Sequence, residues 1–451
     1  MALQEIIKKI QTKNCIIEVY GLGYIGLPSA ARLAMAGFQV VGIDKDLAKL
    51  KRLENKNLSE SELFLKNEFV EAQNSGLLTI TDSSKPAEKP KVAIICVPTP
   101  IPTSEVSSDI YVKNAVESFL KNSKKGDVII LESSIEVGTT DKIKDLIESN
   151  GFKVGHDMGL AFCPERIDPQ NKKWNLENIP RIIYCSDDIT YQICQEIYHN
   201  INNANLRRVS DPKTVEVVKS FENAFRLVNI SFVNELALLC DKLKIDIREV
   251  IDAASTKPFG FMPFYPSAGA GGHCIPKDPR FLLNSAKKFG IEFKTLQESL
   301  LVNSYMPTYI SKTIKDTITK HGWSNSVLVW GLSYKPDVED MRDSPGFRII
   351  SELKKLGVDA VGYDPYYKKD LKQKYIIENH LDANTDLEIL QSLDNESIKS
   401  FGCICVVQHH TKIEFDLRAI YKNSKVSLIY DCQNRLEYNT ESKTKLMKLG
   451  H

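Results

Sequence analysis

The run Gly21-Leu22-Gly23-Tyr24-Ile25-Gly26 constrains this chain more than any other segment. An apolar stretch, 14–20, leads into it. An alanine-rich stretch, 28–36, leaves it and is stopped by Gly37. A strand that turns through three glycines into a helix lets backbone approach phosphate. Gly21 permits the tight turn, Gly23 leaves room for a pyrophosphate, and Gly26 lets the helix pack on the strand. The helix N-terminus then faces the phosphates. The next apolar run, 38–43, ends in Asp44, where a carboxylate would take ribose hydroxyls and repel a 2′-phosphate. The expected cofactor is therefore NAD. Glycines at this spacing also occur in plain turns; the flanking strand, helix and Asp44 favour the cofactor.

The strand–helix alternation continues. Strands are expected over 92–97, ending at Pro98-Thr99-Pro100, and over 128–131, ending at Glu132-Ser133-Ser134. This rhythm predicts a doubly wound parallel sheet. From Asp211 to about Lys244 the apolar residues fall at helical spacing, and Asp211-Pro212 supplies an N-cap and a first-turn proline. A long helix is expected there, with shorter helices to about Ser311. After His321-Gly322-Trp323 the alternation resumes, with strands at 326–330, 358–363, 403–408 and 426–430 and a helix over 345–356. At 451 residues the chain exceeds one ordinary core. The expected fold is α/β: two Rossmann-like doubly wound parallel-sheet domains, 1–210 and 321–451, joined by a long central helix in a segment 211–320.

Composition excludes several functions. A net charge of +1 gives no basic face for nucleic acid. No run approaches the roughly 18 apolar residues of a membrane span. The first ten residues read as a short amphipathic helix without an apolar signal core, so a cytoplasmic location is expected. The ten cysteines form no CxxC pair and no zinc spacing, which points to reduced thiols and no metal. His409 and His410 are adjacent and so point in different directions.

Chemistry concentrates in Gly271-Gly272-His273-Cys274-Ile275-Pro276-Lys277-Asp278-Pro279. A glycine-dense loop exposes backbone N–H groups that favour an anionic thiol, and Asp278 follows on the next turn. Cys274 is thus either a nucleophile or, like most cysteines, a structural thiol. Lys219, Asn223 and Arg226 form a polar stripe that alone reads as a solvated face; on a helix otherwise fit for burial it needs partners, and a substrate is one candidate. Glu165-Arg166 alone would read as a surface ion pair. Lys335 and Arg342 leave a strand of the last domain as candidate phosphate ligands, against a reading as surface charge.

Together these segments resemble the UDP-glucose/GDP-mannose dehydrogenase family, the nucleotide-sugar 6-dehydrogenases. The resemblance runs from about Cys15 to Asn434. It rests on GLGYIGLP at 21–28, CVPTP at 96–100, ESSIEVGTT at 132–140 and CPER at 163–166. KSFENAFRLVNISFVNE at 219–235, GGHCIPKDP at 271–279 and GLSYKPDVEDMRDSP at 331–345 complete the series in order.

The resemblance implies roles. Cys274 matches the nucleophile that holds the thiohemiacetal and thioester. Lys219 and Asn223 match groups that steady an oxyanion and a water, Asp278 a carboxylate working with that water, and Glu165 a glutamate linked to thioester hydrolysis. Ser134 stands beside the reacting C6 hydroxyl. Cofactor binding falls to Gly21, Gly23, Tyr24, Ile25, Gly26, Asp44, Pro98, Thr99, Ser133, Thr139 and Arg342. Substrate binding falls to Arg166, Lys219, Asn223, Arg226, Phe264, Tyr265, Gly271, Gly272, Tyr334 and Lys335. The family also implies a homodimer through the central helix.

His273-Cys274-Ile275-Pro276 resembles the branch acting on UDP-N-acetylglucosamine or UDP-N-acetylmannosamine; UDP-glucose enzymes typically carry Ser-Cys-Phe there. Lys277, Arg280, Glu136 and Ser267-Ala268 depart from that branch's usual residues. The implied activity is four-electron oxidation of C6 to a uronic acid for glycan precursor synthesis. The rivals are UDP-glucose oxidation by the same route, a two-electron hydroxyacid-type dehydrogenase in which Cys274 is incidental, and a non-catalytic sensor of NAD or UDP-sugar.

Overall fold

The computed structural model describes residues 2–59, 62, 65–100, 108–167, 171, 173–202, 205–382, 385–393, 398, 400–411, 426–437 and 443–451. The chain divides into two compact units. One comprises Met1–Phe221 with Arg280–Ser285; the other comprises Glu222–Pro279 with Ala286–His451.

The first unit opens with α1 (Ala2–Gln11), β1 (Ile16–Tyr20), α2 (Gly26–Met35), β2 (Gln39–Ile43), α3 (Leu47–Glu54), α4 (Lys66–Asn74) and β3 (Leu78–Thr81). It continues through β4 (Lys91–Ile95), α5 (Ile110–Leu120), β5 (Val128–Leu131), α6 (Thr139–Ser149), β6 (Gly159–Phe162), β7 (Arg181–Cys185), α7 (Asp188–His199) and β8 (Leu206–Val209). The strand order is β3-β2-β1-β4-β5-β6-β7-β8. The central strands β4 and β5 are buried throughout and, but for Lys91, apolar, as a sheet covered on both faces requires. One apolar cluster, with Leu33, Phe38 and Phe69, and another, with Phe119, Ile143 and Phe162, supply the core. The order reverses between β1 and β4, which opens a crevice at their carboxyl ends.

The sheet departs from the all-parallel expectation at one point: β7 runs antiparallel to β6. The segment between them carries no described helix, so no crossover returns the chain to the parallel direction.

The helix α8 (Pro212–Leu243) matches the expected long helix. Asp211 Oδ1 accepts from Lys213 N at 2.8 Å, which caps it. Then come α9 (Ile247–Ser255), α10 (Asp278–Lys288) and α11 (Lys294–His321). The last corrects the expectation of short helices ending near Ser311. It runs straight through the buried Pro307, and Met306, Ile310, Ile314 and Ile318 bury one face. That burial offsets the hydrogen bond a mid-helix proline removes.

The second unit's sheet is built from β9 (Ser326–Trp330), β10 (Asp359–Tyr363), β11 (Ile389–Leu390), β12 (Cys403–Val406), β13 (Leu428–Asp431) and β14 (Lys445–Lys448). Their order is β11-β10-β9-β12-β13-β14, all parallel. Its helices are α12 (Pro345–Lys355) and α13 (Lys372–Glu378). Ser344 caps α12 with Pro345 in its first turn, and Phe347, Ile350 and Leu353 bury its inner face.

The two sheets repeat one turn. Gly21 N donates to Ile43 O at 2.7 Å, and Gly331 N donates to Tyr363 O at 2.9 Å. Leu22 N donates to Asp44 Oδ2 at 2.8 Å; Leu332 N donates to Asp364 Oδ2 at 2.6 Å. Both glycines have positive φ, near +90° and +86°, and a Cβ on either would meet a backbone oxygen at 2.6 Å. What differs is the exit. After Gly21 a helix starts at Gly26, whereas after Gly331 a long loop precedes α12.

Candidate active site

In the first unit, the crevice at the ends of β1 and β4 fits a dinucleotide. Gly26 sits so close to the turn that a Cβ would lie 2.0 Å from Gly21 O. Gly23 is different: nothing lies within 4 Å of where its Cβ would stand, so the turn faces open space that a phosphate can enter. The α2 N-terminus has no side-chain cap, and Ile25 is its N-cap residue. Tyr24 and Pro98 are exposed and Thr99 is buried. Asp44 ends β2 as expected. Burial pushes its carboxyl up, but Lys49 at 2.8 Å and the N–H groups of Asp46 and Leu22 outweigh this and hold it low. Lys45, the basic neighbour in sequence, turns instead to Asp82 O.

Ser133 joins two strand ends, with its hydroxyl 2.7 Å from Val97 O and 3.2 Å from Ile95 O. Ser134 is half-buried. Thr139 is wholly buried, and its hydroxyl has no partner among the described residues. The N-terminus of α6 is closed by Glu216, which accepts from Gly138 N at 2.6 Å, Thr140 N at 2.8 Å and the Thr140 hydroxyl at 2.7 Å. Glu216 was not singled out in the sequence, because a long-range cap leaves no local signature.

Glu165 is not the surface half of a Glu-Arg pair. It is buried, and its partner is Arg181, whose guanidinium lies 2.5 Å from Oε2. Arg166 turns away to Pro180 O at 2.9 Å. No local pattern marks Arg181, which lies on a different strand, β7.

In the second unit, Cys274 stands apart from the other nine cysteines. It alone is exposed; Cys96 is intermediate and the rest are buried. Burial pushes the Cys15 and Cys163 thiols up to about 12 and raises Cys194, Cys403 and Cys432 well above the ordinary value. Those groups are inert.

The Cys274 loop is held by glycines. A Cβ on Gly271 would lie 2.7 Å from Asp343 O. One on Gly272, at φ +82°, would lie 2.6 Å from the Tyr334 ring. Gly272 N donates to Arg342 O at 2.9 Å. Asn303 clamps Ala270 from both sides, accepting from its N–H at 2.6 Å and donating to its carbonyl at 3.0 Å, and Asn234 accepts from Ser267 N at 2.9 Å. Asn234 and Asn303 were missed because single asparagines on long helices look like ordinary solvated positions.

Asp278 N closes a turn on Cys274 O at 2.9 Å and begins α10, so the thiol precedes a helix N-terminus. The Asp278 side chain is fully buried. Oδ2 accepts from Asn223 Nδ2 at 2.7 Å, and Oδ1 lies 3.5 Å from Lys277 Nζ without accepting a hydrogen bond among the described residues. Asn223 thus leaves the polar stripe for the interior, while Lys219, one turn earlier, is half-buried and Arg226 is exposed.

Two cations surround the loop. Burial pushes the His273 imidazole down to about 2, and the charges of Lys277 and Arg342 add to that, so the ring stays neutral. Arg342 is gripped by Asp340, with Nη2 2.5 Å from Oδ2, and its charge also reaches Cys274. A thiol reached by a fixed arginine charge and set before a helix N-terminus is in surroundings that favour a nucleophilic sulfur.

Of the other expected substrate residues, Phe264 packs edge-on against Phe225 at 6.0 Å, and exposed Tyr265 lies under the Arg248 guanidinium at 5.0 Å. Tyr334 O accepts from Gln408 Nε2 at 2.9 Å, and Lys335 O accepts from the Ser333 hydroxyl at 3.1 Å. Both lie on the loop leaving the second sheet's glycine turn. His409 and His410 point apart, to Asp431 at 2.9 Å and Asp364 at 3.0 Å, and no metal cluster occurs among the described residues. No described helix is long and apolar enough to cross a membrane.

These features have counterparts in known proteins. Residues 15–202 match the NAD binding domain of the UDP-glucose/GDP-mannose dehydrogenase family, 213–305 its central domain and 328–438 its UDP binding domain. The UDP-N-acetyl-D-mannosamine dehydrogenase of Methanococcus aeolicus is 32% identical, over 97% of this chain and 95% of that protein. The UDP-N-acetyl-D-glucosamine 6-dehydrogenase of Salmonella typhi is 30% identical, over 86% and 93%. The solved UDP-D-ManNAc dehydrogenase of Pyrococcus horikoshii superposes with a TM-score of 0.82 at 27% identity, covering 96% of this chain and 99% of that one. The chain belongs to the UDP-glucose/GDP-mannose dehydrogenase family and is an NAD-dependent oxidoreductase of it.

Proposed function

We propose that the protein oxidises the C6 hydroxyl of a UDP-N-acetylhexosamine, UDP-N-acetylmannosamine or UDP-N-acetylglucosamine, to the UDP-uronic acid. The observation that carries this reading is the exposed Cys274 thiol, reached by the Arg342 charge and set just before the N-terminus of α10, in a chain that also has the family's NAD binding domain. The relatives named for these two sugars support the choice of substrate.

NAD, when bound, accepts the hydride at each of the two oxidations. Lys219 takes up the hydroxyl proton, through water, as the first hydride leaves C6. The Cys274 thiolate adds to the aldehyde carbon and holds it as a thiohemiacetal. Loss of a second hydride leaves a thioester. Lys219 and the Asn223 amide stabilise the oxygen that becomes negative. Asn223 also fixes Asp278, which orients water toward the thioester with help from Glu165. Ser134 positions the C6 hydroxyl. The C–S bond then breaks, and the uronate departs.

Gly21, Gly23, Tyr24, Ile25, Gly26, Asp44, Pro98, Thr99, Ser133 and Thr139, within a domain 1–210, are assigned to NAD, with Arg342. Tyr334 and Lys335, in a domain 321–451, are assigned to the UDP-sugar, together with Arg166, Arg226, Phe264, Tyr265, Gly271 and Gly272. The segment 211–320 joins the two domains, and its helix α8 mediates a homodimer. The enzyme acts in the cytoplasm, and its product suits a polysaccharide or glycan precursor.

The test is Cys274→Ser. The variant is expected to bind NAD normally yet lose at least about a thousandfold in uronate formation, in line with loss of a nucleophile. Intact mass of the wild type, quenched during turnover, is expected to show an acyl adduct on Cys274. Full uronate production by Cys274→Ser would overturn the covalent route.

A further inference from the structure

Beneath the carboxyl ends of β4, β5 and β6 lies a network of charge of which the reaction scheme uses only Glu165. Arg181, Glu132 and Glu165 are all buried, and two carboxylates share one guanidinium. Arg181 Nη2 is 2.5 Å from Glu165 Oε2, and Nη1 is 3.5 Å from Glu132 Oε1. The Tyr198 hydroxyl donates to Glu132 Oε1 at 2.6 Å, and Cys96 Sγ lies 3.5 Å from Oε2. Cys163 Sγ is 4.0 Å from Arg181 Nη1, and the guanidinium stacks on the Tyr198 ring at 4.8 Å. Glu165 Oε1 accepts from Arg166 N at 2.6 Å and Ile167 N at 2.8 Å.

A buried imbalance of charge is disfavoured, so a fold that only needed packing would lose by keeping it. The topology is arranged around it. Continuing the antiparallel register of β6 and β7 beyond Phe162–Tyr184 brings Glu165 level with Arg181. The single antiparallel step in the first sheet thus sets the cation opposite the carboxylate. Burial raises the Glu132 carboxyl, and the charge of Glu165 adds to this against Arg181. The guanidinium lies 2.5 Å from Glu165 and 3.5 Å from Glu132, so the cation is committed to Glu165.

We infer that Arg181 is a positioning residue that fixes the Glu165 carboxylate for the thioester-hydrolysis step. The inference rests on the reading that Glu165 assists hydrolysis of a Cys274 thioester. In that step water adds to the thioester carbon, the C–S bond breaks and sulfur leaves as thiolate. The product departs as carboxylate, and two protons pass to solvent. With both Glu165 oxygens already engaged, the residue is aimed as an acceptor from the attacking water and is not free to swing.

The test uses the full chain with NAD and UDP-N-acetylmannosamine, or UDP-N-acetylglucosamine where the wild type oxidises that sugar. Rapid-mixing NADH formation is followed by acid quench and intact mass. Arg181→Lys is expected to keep the burst of two NADH per subunit near the wild-type rate. Its steady turnover should fall at least about tenfold, with the acyl adduct accumulating on Cys274. Arg181→Gln, which keeps a donor but loses the charge, serves if the lysine variant does not fold. In a Glu165→Gln background the Arg181 change is expected to add nothing further, because it acts through that carboxylate. A burst slowed as much as turnover, with effects that multiply in the double variant, would show that Arg181 only supports the fold. A Glu165→Gln variant that forms no adduct, while the wild type yields two NADH per sugar, would remove the role of Glu165 itself and this inference with it.

Discussion

At the scale of single residues, the chain exposes one thiol, Cys274, and keeps the other nine wholly or partly buried. His273, which precedes the thiol, is a poor base, because a ring held near about 2 takes a proton only in strong acid. His273→Gln is therefore expected to retain most of the turnover. Its effect belongs to stability. On unfolding, the ring returns to its ordinary value near about 6.5, so below that pH the unfolded chain binds a proton that the folded chain does not. Stability is complete above that value and falls with acid, by up to about 1.4 kcal/mol per pH unit for this one group. Urea unfolding at pH 7 and pH 5 should show a smaller acid loss in His273→Gln than in the wild type; equal losses would contradict the assignment. Asn223→Ala leaves Asp278 Oδ2 without its amide donor in a buried site, and should cost about 1–3 kcal/mol in unfolding free energy as well as turnover.

At the scale of elements, the glycine turn, Asp44, α8 and most central strands were readable from the chain. Each writes a local pattern: an apolar run, a breaker, a cap. The antiparallel strand β7 and the length of α11 were not, because the one depends on a return from β6 that has no helix among the described residues and the other on burial around Pro307. The same division holds at the site. Cys274 and Asp278 stand out in a glycine-dense loop and Asn223 is picked out by the resemblance of its segment to the family, whereas Arg181, Glu216, Asn234 and Asn303 act on residues far away in sequence. The glycines before Cys274 show how local and distant constraints meet. Gly272→Ala puts a methyl 2.6 Å from the Tyr334 ring at positive φ, and should lose about 1–3 kcal/mol by overpacking with a fall in kcat. Gly290→Ala, also at positive φ but with nothing within 4 Å, should lose only about 1–2 kcal/mol of backbone strain and leave kcat unchanged. Thermal unfolding and steady-state kinetics on both variants check the contrast.

At the scale of the whole molecule, α8 exposes Phe225, Phe232 and Leu239, which recur every seven positions, with Phe221 and Leu243 nearby. A heptad of exposed apolar residues on a long helix suits a second copy of the same helix. Sedimentation should find a dimer, and Phe232→Glu with Leu239→Glu should shift it to monomer; a monomeric wild type would exclude the pairing. The central claim is that one chain carries a sugar through two oxidations, the second of them on the Cys274 sulfur. The most direct measurement is the NADH formed per molecule of limiting UDP-sugar, across UDP-N-acetylmannosamine, UDP-N-acetylglucosamine, UDP-N-acetylgalactosamine, UDP-glucose and GDP-mannose. Two NADH from an N-acetylated UDP-sugar, abolished by Cys274→Ser, is the predicted result. One NADH per sugar, unchanged by that substitution, would contradict it.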